Sequence, residues 1–240
     1  GSEIMKSFTL IPSVYLKENW ATVFKYFNLF LGMWNSLKVA VPSTLLCAYF
    51  SAMTAYALAM YKFKGNKVLF MTILIFMMIP GQLGLIGFYN LCTKLHLVNS
   101  YIPLIIPAIA SPGTVFFLRQ YVLSVMPPSL IEAARIDGSG EFHTFNNIVL
   151  PLMKPAIAVQ AIFTFVSSWN NYFVPALILH NDKKKTLPIL IAQLRAADWL
   201  KFDMGQVYVM IAFSIFPVII IYLILSRHIV QGVALGSVKG

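Results

Sequence analysis

The sequence contains few charged residues: Asp, Glu, Lys and Arg make up 11% of its 240 residues, against about 25% in a typical soluble domain. Among the charged residues, acidic ones are fewer than basic ones, with 8 Asp and Glu against 18 Lys and Arg. This balance excludes an ordinary soluble domain. The basic residues are spread along the chain rather than gathered in one run, so we expect membrane lipid headgroups, and no nucleic acid, as partners of the positive charge.

Side chains that would support metal binding or catalysis are also sparse. Cys47 and Cys92 lie in or at the ends of apolar runs, which predicts packing residues rather than a disulfide or metal site. The four histidines are isolated from one another and lack metal-ligand spacing: His96, His143, His180 and His228. The sequence also lacks paired carboxylates, an activated nucleophile and a phosphate-binding loop, so we expect no enzyme active site and no cofactor bound by this chain.

Hydrophobic residues, in contrast, make up 59% of the chain, and the mean hydropathy is +0.77. About 20 apolar residues are needed to span a bilayer as a helix, because backbone polar groups cannot stay unpaired in hydrocarbon. Five apolar segments are long enough: 34–60, 68–91, 101–123, 154–179 and 206–231. The sequence therefore predicts an all-α, polytopic membrane bundle with five spans.

The remaining segments are predicted to lie at or outside the membrane surface. Residues 1–33 are mixed and aromatic, which predicts an external or interfacial segment. The connection 180–204 contains ILIAQLRAADWL, whose helical spacing predicts a surface helix. Two predicted spans carry breaks, IPGQLGLIG and PAIASPG, which are typical either of a transport pathway or of plain kinks.

A polar stretch, MPPSLIEAARIDGSGEFHTFNNIVLPLMKP at 126–155, interrupts the apolar chain between two spans. Pro127 and Pro128 end the preceding span. Ser129 and Glu132 then have the S-x-x-E spacing of a capping box, in which the serine and the glutamate satisfy amides at the start of a helix. The spacing predicts that a helix begins here.

The same stretch contains the signals for a turn and a second helix. Gly138 can take the left-handed conformation that closes a helix. Phe142, Phe145 and Val149 follow at spacings of three and four, which predicts one apolar face, and Pro151 is expected to stop the helix. A helix, a glycine turn and a second helix without catalytic groups suggest a protein docking element. The alternative is that Glu132 only caps and the phenylalanines only pack on the bundle.

The fourth predicted span contains SSWNNYF, from Ser167 to Phe173, near its centre. Polar groups at that depth are costly unless they face a cavity or a partner. Amide groups beside aromatic rings suit sugar hydroxyls and C–H surfaces, so the candidates for a substrate pathway are Trp169, Asn170, Asn171, Tyr172 and, in the broken second span, Gln82. The alternative is that these residues only hold helices together.

Several of these motifs resemble a known family. Glu132-Ala133-Ala134, Ile136-Asp137-Gly138 and Ile148-Val149-Leu150-Pro151 resemble the EAA loop of ATP-binding cassette importer permeases. Further motifs are similar to the carbohydrate permeases of the maltose type: Phe117-Leu118-Arg119-Gln120, Pro151-Leu152-Met153-Lys154-Pro155, Trp169-Asn170 and Gly236-Ser237-Val238-Lys239-Gly240. The resemblance covers nearly the whole chain.

The resemblance implies a function. The chain would form half of the translocation pathway for a carbohydrate, with an oligosaccharide as the expected cargo, in a bacterial or archaeal cell membrane. Its partners would be a second, homologous permease, a dimer of an ATP-hydrolysing subunit and an extracellular solute-binding protein, with ATP and Mg held by the hydrolysing subunit. The residues implied to couple the permease to that subunit are Glu132, Ala133, Ala134, Asp137, Gly138, Phe142 and Pro151.

The resemblance also implies an architecture and an orientation. Residues 34–240 would be the permease domain, containing the coupling loop at 127–149, and a sixth span would precede residue 1, since such permeases usually carry six. The distribution of Lys and Arg among the loops does not decide the orientation. The coupling loop decides it, because that loop must face the cytoplasm where ATP is.

Two other functions remain open at this point. The cargo could be a glycerol phosphate, a polyamine or a peptide-like compound, although the spans contain no acidic residue that would suit a cation. A self-contained secondary transporter would have no use for the EAA loop and would usually place ionisable residues within its spans.

Overall fold

The structure, a computed structural model, describes residues 14–196 and 204–236, and every regular element in these two ranges is helical. The first half of the chain forms α1 (Leu16–Tyr26), α2 (Leu29–Met60), α3 (Asn66–Met78), a 3₁₀ turn (Gly81–Gly84), α4 (Leu85–Lys94), α5 (Ile102–Ile105), a second 3₁₀ turn (Ile106–Ile109) and α6 (Pro112–Val125). The predicted all-α class is confirmed.

The second half of the chain has shorter elements before a last long helix. They are α7 (Pro128–Ile136), α8 (Glu141–Thr144), a π-helical segment (Phe145–Val149), α9 (Leu150–Leu152), α10 (Lys154–Trp169), α11 (Phe173–Ile178), a 3₁₀ turn (Asp182–Lys184), α12 (Leu187–Arg195) and α13 (Met204–Gly236).

Three helical stretches are individually long and apolar enough to cross a membrane: Leu29–Met60, Ile102–Val125 and Met204–Ile229. Two further pairs of helices pass the same test only together, with bends of 88° between Asn66–Met78 and Gly81–Lys94 and of 79° between Glu141–Leu152 and Lys154–Trp169. The described residues thus hold three to five spans, and the predicted five is the upper number. The first span begins at Leu29, before the predicted start at residue 34.

The bend after α3 has a local cause. Ile79 precedes Pro80, and the proline ring disfavours the α conformation in the residue before it. Ile79 and Pro80 are accordingly extended, with ψ of 120° and 121°. The predicted break at IPGQLGLIG is therefore confirmed as a sharp change of direction.

Helix α2 lies at the centre of the bundle and contacts α6, α10 and α12. Its inner face carries small polar residues, which allow helices to approach closely. The Ser43 and Thr44 hydroxyls donate to the carbonyls of Val39 and Ala40, each at 2.7 Å, so these buried donors are satisfied within the helix itself. Cys47 lies on the same helix and is buried, as predicted for a packing residue.

Two apolar clusters lie at different ends of α2. One joins its C-terminal half to α6, α7 and the π-helical segment through residues such as Tyr56, Val122 and Phe145. The other joins its N-terminal half to α1, the end of α10, α12 and α13, through residues such as Leu29 and Trp169. The polar stretch after α6 and the end of α10 therefore lie toward opposite ends of the bundle.

The helix predicted within 180–204 is α12, at 187–195, and the rest of that prediction, from 197, lies outside the described residues. It buries one face against the bundle, with Leu187, Ile189 and Leu194, and it exposes Gln193 and Arg195 on the other face. The Leu187 amide donates to the Ser36 hydroxyl at 2.9 Å, which fastens the start of α12 to α2.

Candidate coupling loop and translocation cavity

Residues 127–149, the coupling loop, begin with α7, but the predicted capping box is wrong. The helix starts at Pro128, and its N-cap is Pro127, without a side-chain cap. Ser129 therefore occupies the second helical position rather than the cap. Proline suits the first helical position because its fixed φ is helical and its missing N–H would be unpaired there anyway. Glu132 is exposed and has no hydrogen bond or ion pair within the described chain.

The predicted turn at Gly138 is confirmed. Gly138 has a φ of +77°, in the left-handed region. The Gly138 amide donates to the Arg135 carbonyl at 3.0 Å, and the Ser139 amide donates to the Ala134 carbonyl at 2.9 Å. This pair of bonds is a Schellman motif, which satisfies the last carbonyls of α7 and turns the chain toward α8.

The second helix of the loop differs from the prediction at Phe142. Phe145 and Val149 are buried on one face, but Phe142 is 70% exposed and lies away from that face. The helix is continuous from Glu141 to Leu152, so it ends one residue after Pro151. The chain bends after α9. Between α8 and α9 the helix is π-helical, a local form that is frequent at functional sites.

The coupling loop has a buried face and an exposed face. Ile131 and Ala134 are 3% and 5% exposed and pack on the bundle, so Ala134, predicted as a coupling contact, is not available to a partner in this structure. Ile136 is 86% exposed. The other predicted coupling residues are on the surface as well: Glu132, Ala133, Asp137, Gly138, Phe142 and Pro151.

The SSWNNYF stretch lies at a break between helices, not at the centre of one continuous span as predicted. Helix α10 ends at Trp169, and α11 begins at Phe173. The Trp169 side chain is 2% exposed, its ring stacks on Phe165 at 5.7 Å between centroids, and its indole N–H donates to the Ser214 carbonyl at 3.1 Å. Trp169 thus holds α10 against α13.

The amides of this stretch are separated by the fold. Asn170 lines, together with Trp169 and Tyr172, a cavity of about 670 Å³ between the end of α10, α12 and α13, and Arg195 lines the same cavity. Asn171 lines two other cavities. Gln82 lies exposed in the 3₁₀ turn after α3 and is not among the residues that line these cavities.

The cavity that combines most hydroxyl and amide groups lies between α2, α6 and α10 and has a volume of about 430 Å³. We call it the polar cavity. Eight of its lining residues carry a hydroxyl or an amide: Ser43, Ser111, Thr114, Gln160, Thr164, Ser167, Ser168 and Asn171. None of the described lining residues is charged. A neighbouring cavity of about 460 Å³, beside α4 and the break after α3, shares Leu104, Ser168 and Asn171 with it.

Sequence reasoning missed most of the polar cavity, although a signal was present. Gln160, Thr164, Ser167 and Asn171 recur at spacings of four, three and four, which predicts one face of a helix; the first three lie in α10, and Asn171 follows its end. A single polar residue within an apolar run is a weak signal for a cavity. Their shared face, rather than the adjacent letters SSWNNYF, marks the cavity wall.

Comparison with known proteins matches the chain to membrane components of transport systems. Residues 44–235 match the family described as "Binding-protein-dependent transport system inner membrane component". The chain is 39% identical to the arabinooligosaccharides transport system permease protein AraQ of Bacillus subtilis, over 95% of this chain and 81% of the relative. It is 30% identical to the lactose transport system permease protein LacG of Rhizobium radiobacter, over 93% of this chain and 81% of that relative.

Other similar proteins are named for different cargo. The sn-glycerol-3-phosphate transport system permease protein UgpE of Brucella abortus is 30% identical, over 93% of this chain and 82% of the relative. Among solved structures, a bacterial ABC transporter involved in the import of the acidic polysaccharide alginate has a TM-score of 0.79 and 24% identity, over 95% of this chain and 85% of that one. This likeness shows a shared fold.

Proposed function

Because the chain belongs to the family of inner membrane components of binding-protein-dependent transport systems, we propose that it supplies half of the pathway by which an ATP-binding cassette importer moves an oligosaccharide into the cell. It is a multi-pass protein of the cell membrane. The observation that carries the choice of cargo is the polar cavity, whose described walls offer hydroxyls and amides but no charge.

The chemistry of this cavity favours a neutral, hydroxyl-rich cargo over glycerol phosphate. A phosphate group is normally bound by Arg, Lys or clustered backbone amides, because its charge must be compensated when water is removed. Sugar hydroxyls, in contrast, exchange hydrogen bonds with neutral hydroxyl and amide side chains. Arabinose oligosaccharides and lactose, named in two of the relatives, fit this requirement, whereas glycerol phosphate does not.

The energy for transport would come from a separate ATP-hydrolysing subunit. The exposed face of the coupling loop, with Glu132, Ala133, Asp137 and Phe142, supports docking of that subunit, and ATP with its Mg would be bound there rather than by this chain. Two such subunits, a second permease homologous to this one and an external solute-binding protein would complete the importer. A self-contained secondary transporter would leave the exposed coupling loop without a role.

The proposal is tested with the complete importer reconstituted in lipid vesicles. Solute-binding protein loaded with an arabinose oligosaccharide or lactose should stimulate ATP hydrolysis and lead to uptake of the labelled sugar. The same preparation given sn-glycerol-3-phosphate should show neither. Uptake of glycerol phosphate without uptake of either sugar would overturn the assignment of the cargo, and sugar uptake without ATP would overturn the importer assignment.

A further inference from the structure

Three polar side chains join the coupling loop to the end of α2. The Tyr61 hydroxyl donates a hydrogen bond to the Glu141 carboxylate. The Arg135 guanidinium donates to the other oxygen of that carboxylate at 2.9 Å, and Arg135 also lies over the Tyr61 ring, 5.1 Å from its centroid. We call Tyr61, Arg135 and Glu141 the clamp. It closes across the Gly138 turn, because Arg135 precedes the turn and Glu141 follows it.

The end of α2 that the clamp holds is itself fastened to two other helices. The Asn66 side chain, at the start of α3, donates to the carbonyls of Tyr61 at 2.9 Å and of Leu58 at 3.2 Å. Arg119 of α6 donates to the same Leu58 carbonyl at 3.4 Å, and its guanidinium lies 4.0 Å from the centroid of the Phe70 ring of α3. A displacement applied at Tyr61 therefore acts on α2, α3 and α6 together.

The clamp is distinct from the surface that a partner would contact. Glu132, on the exposed face of α7, has no hydrogen bond or ion pair within the described residues, whereas Glu141 is fully engaged by Arg135 and Tyr61. The hydrogen bond to Glu141, followed by the contact with Tyr61, raises the pKa of Arg135. One glutamate of the loop is thus left for docking, and the other is used to hold the loop to the bundle.

The exposure of the clamp argues against a role in stability. The side chains of Arg135 and Glu141 are 45% and 54% exposed, and exposed ion pairs add little to folding because water screens them and ordering the side chains costs entropy. The apolar contacts of Ile131 and Phe145 already hold the loop in place. Directional hydrogen bonds from a planar guanidinium and a phenol fix the direction in which the loop can move the helix.

We propose that Tyr61, Arg135 and Glu141 are positioning residues that transmit the displacement of the coupling loop to the end of α2, and through it to α3 and α6. This inference rests on the proposed function of the loop as the docking site of the ATP-hydrolysing subunit. The clamp makes no contact with the cargo or with ATP in this scheme. Its loss should uncouple hydrolysis from transport without removing the hydrolysing subunit.

The test uses the complete importer in lipid vesicles and measures sugar molecules imported per ATP hydrolysed. Tyr61→Phe removes the hydroxyl, with its bonds to Glu141 and to the Tyr56 hydroxyl, and Glu141→Gln removes the carboxylate charge; both conserve shape. Arg135→Glu and Glu141→Arg each leave two like charges together, and the double exchange restores an opposite pair. We expect the ratio to fall about fivefold in the reversed single variants, the lower end for coupling between sites, and to recover in the double variant.

A matched control is available on another part of the chain. Asp182→Asn breaks another ion pair, at 2.6 Å, in which the Asp182 side chain is 89% exposed and the Lys185 side chain 14% exposed, and it should leave the ratio unchanged. The amount of hydrolysing subunit that copurifies with the permease should equal that of the wild type in every clamp variant. If the charge-reversed chains do not assemble, Tyr61→Phe and Glu141→Gln decide the question, with a smaller fall in the ratio expected.

An unchanged ratio of imported sugar to hydrolysed ATP in all assembled variants would overturn the proposed role of the clamp. So would loss of the hydrolysing subunit from the clamp variants, because the three side chains would then belong to the docking surface. A failure of the proposed function would look different: the wild-type complex itself would show no ATP-driven sugar uptake. Wild-type uptake with unaffected variants would refute the clamp alone.

Discussion

Trp169 and Asn171 are two residues apart in sequence but have opposite surroundings. Trp169 is buried between α10 and α13, with its indole N–H bonded to the Ser214 carbonyl. Asn171 is exposed and lines the polar cavity. A sequence-based prediction that treats both as one substrate site cannot separate them, because burial depends on where α10 ends. The structure shows Trp169 packed between two helices at the edge of one cavity and Asn171 lining the polar cavity, and a substrate role for either residue stays a prediction.

The two residues should therefore respond differently to truncation. Trp169→Ala removes a buried aromatic ring, which costs about 3–5 kcal/mol in a protein core, so the thermal unfolding temperature of the purified permease should fall clearly. Asn171→Ala removes an exposed amide and should leave that temperature unchanged while weakening sugar uptake. Unfolding of both chains is followed in the same detergent. A stable Trp169→Ala protein with impaired uptake would instead support the substrate role predicted for the tryptophan.

Gln160 is the member of the polar cavity best suited to a test, because its side chain has no hydrogen bond within the described residues. Gln160→Leu removes the amide and leaves an apolar side chain of similar volume, so sugar uptake should decrease as one hydrogen-bonding position is lost, equivalent to about 0.5–1.5 kcal/mol. The matched control is Gln193→Leu, an exposed glutamine on α12 that does not line the cavity. Equal effects of the two substitutions on uptake would contradict the assignment.

At the scale of the elements, the sequence predicted what depends on local order and missed what depends on contacts. The apolar runs predicted the spans, Ile79-Pro80 predicted the sharp bend after α3, and Gly138 predicted the turn of the coupling loop. Phe142 has the spacing of an apolar face, but the π-helical segment changes the register, so Phe142 is exposed while Phe145 and Val149 are buried. A π-helical turn follows from packing and is not encoded by residue spacing.

The same reasoning applies to the start of the coupling loop. Ser129 and Glu132 have the spacing of a capping box, yet two successive prolines place the start of α7 at Pro128. Proline's fixed φ and its restriction on the preceding residue outweigh a side-chain cap, which contributes about 1 kcal/mol. The polar cavity could not be predicted from separate elements, because α2, α6 and α10 each contribute only part of its wall.

The two glycines of the coupling loop offer a comparison that isolates backbone conformation. A methyl group added at Gly138 or at Gly140 would meet no atom within 4 Å, but φ is +77° at Gly138 and −68° at Gly140. Gly138→Ala should therefore strain the turn by about 1–2 kcal/mol, and Gly140→Ala should not. In the reconstituted importer, sugar-stimulated ATP hydrolysis should decrease only in Gly138→Ala. A decrease of equal size in both would show that bulk, not conformation, matters in this loop.

At the scale of the whole molecule, the coupling loop and the polar cavity are separate, but both contact helix α2. The coupling loop contacts the C-terminal half of α2, and the polar cavity includes Ser43 near its middle. Because α2 runs from Leu29 to Met60, with Pro42 inside it next to Ser43, we expect a movement of its C-terminal end to reach the cavity wall without any contact between loop and cargo. Coupling between sites requires such an element with more than one stable position.

This arrangement requires the hydrolysing subunit to bind the exposed face of the coupling loop, and Phe142 is the sharpest test of that requirement. An exposed aromatic ring that enters a partner's cleft is a typical energetic centre of an interface, so Phe142→Ala should weaken binding of the subunit by about 2 kcal/mol, or about 30-fold. Phe173→Ala is a matched control, because Phe173 is 73% exposed, close to the 70% of Phe142, but lies in α11, away from the loop. Binding is measured by titrating the purified hydrolysing subunit onto the permease pair in lipid nanodiscs. Wild-type affinity in Phe142→Ala, or an equal loss in Phe173→Ala, would mean that the subunit docks elsewhere on the permease.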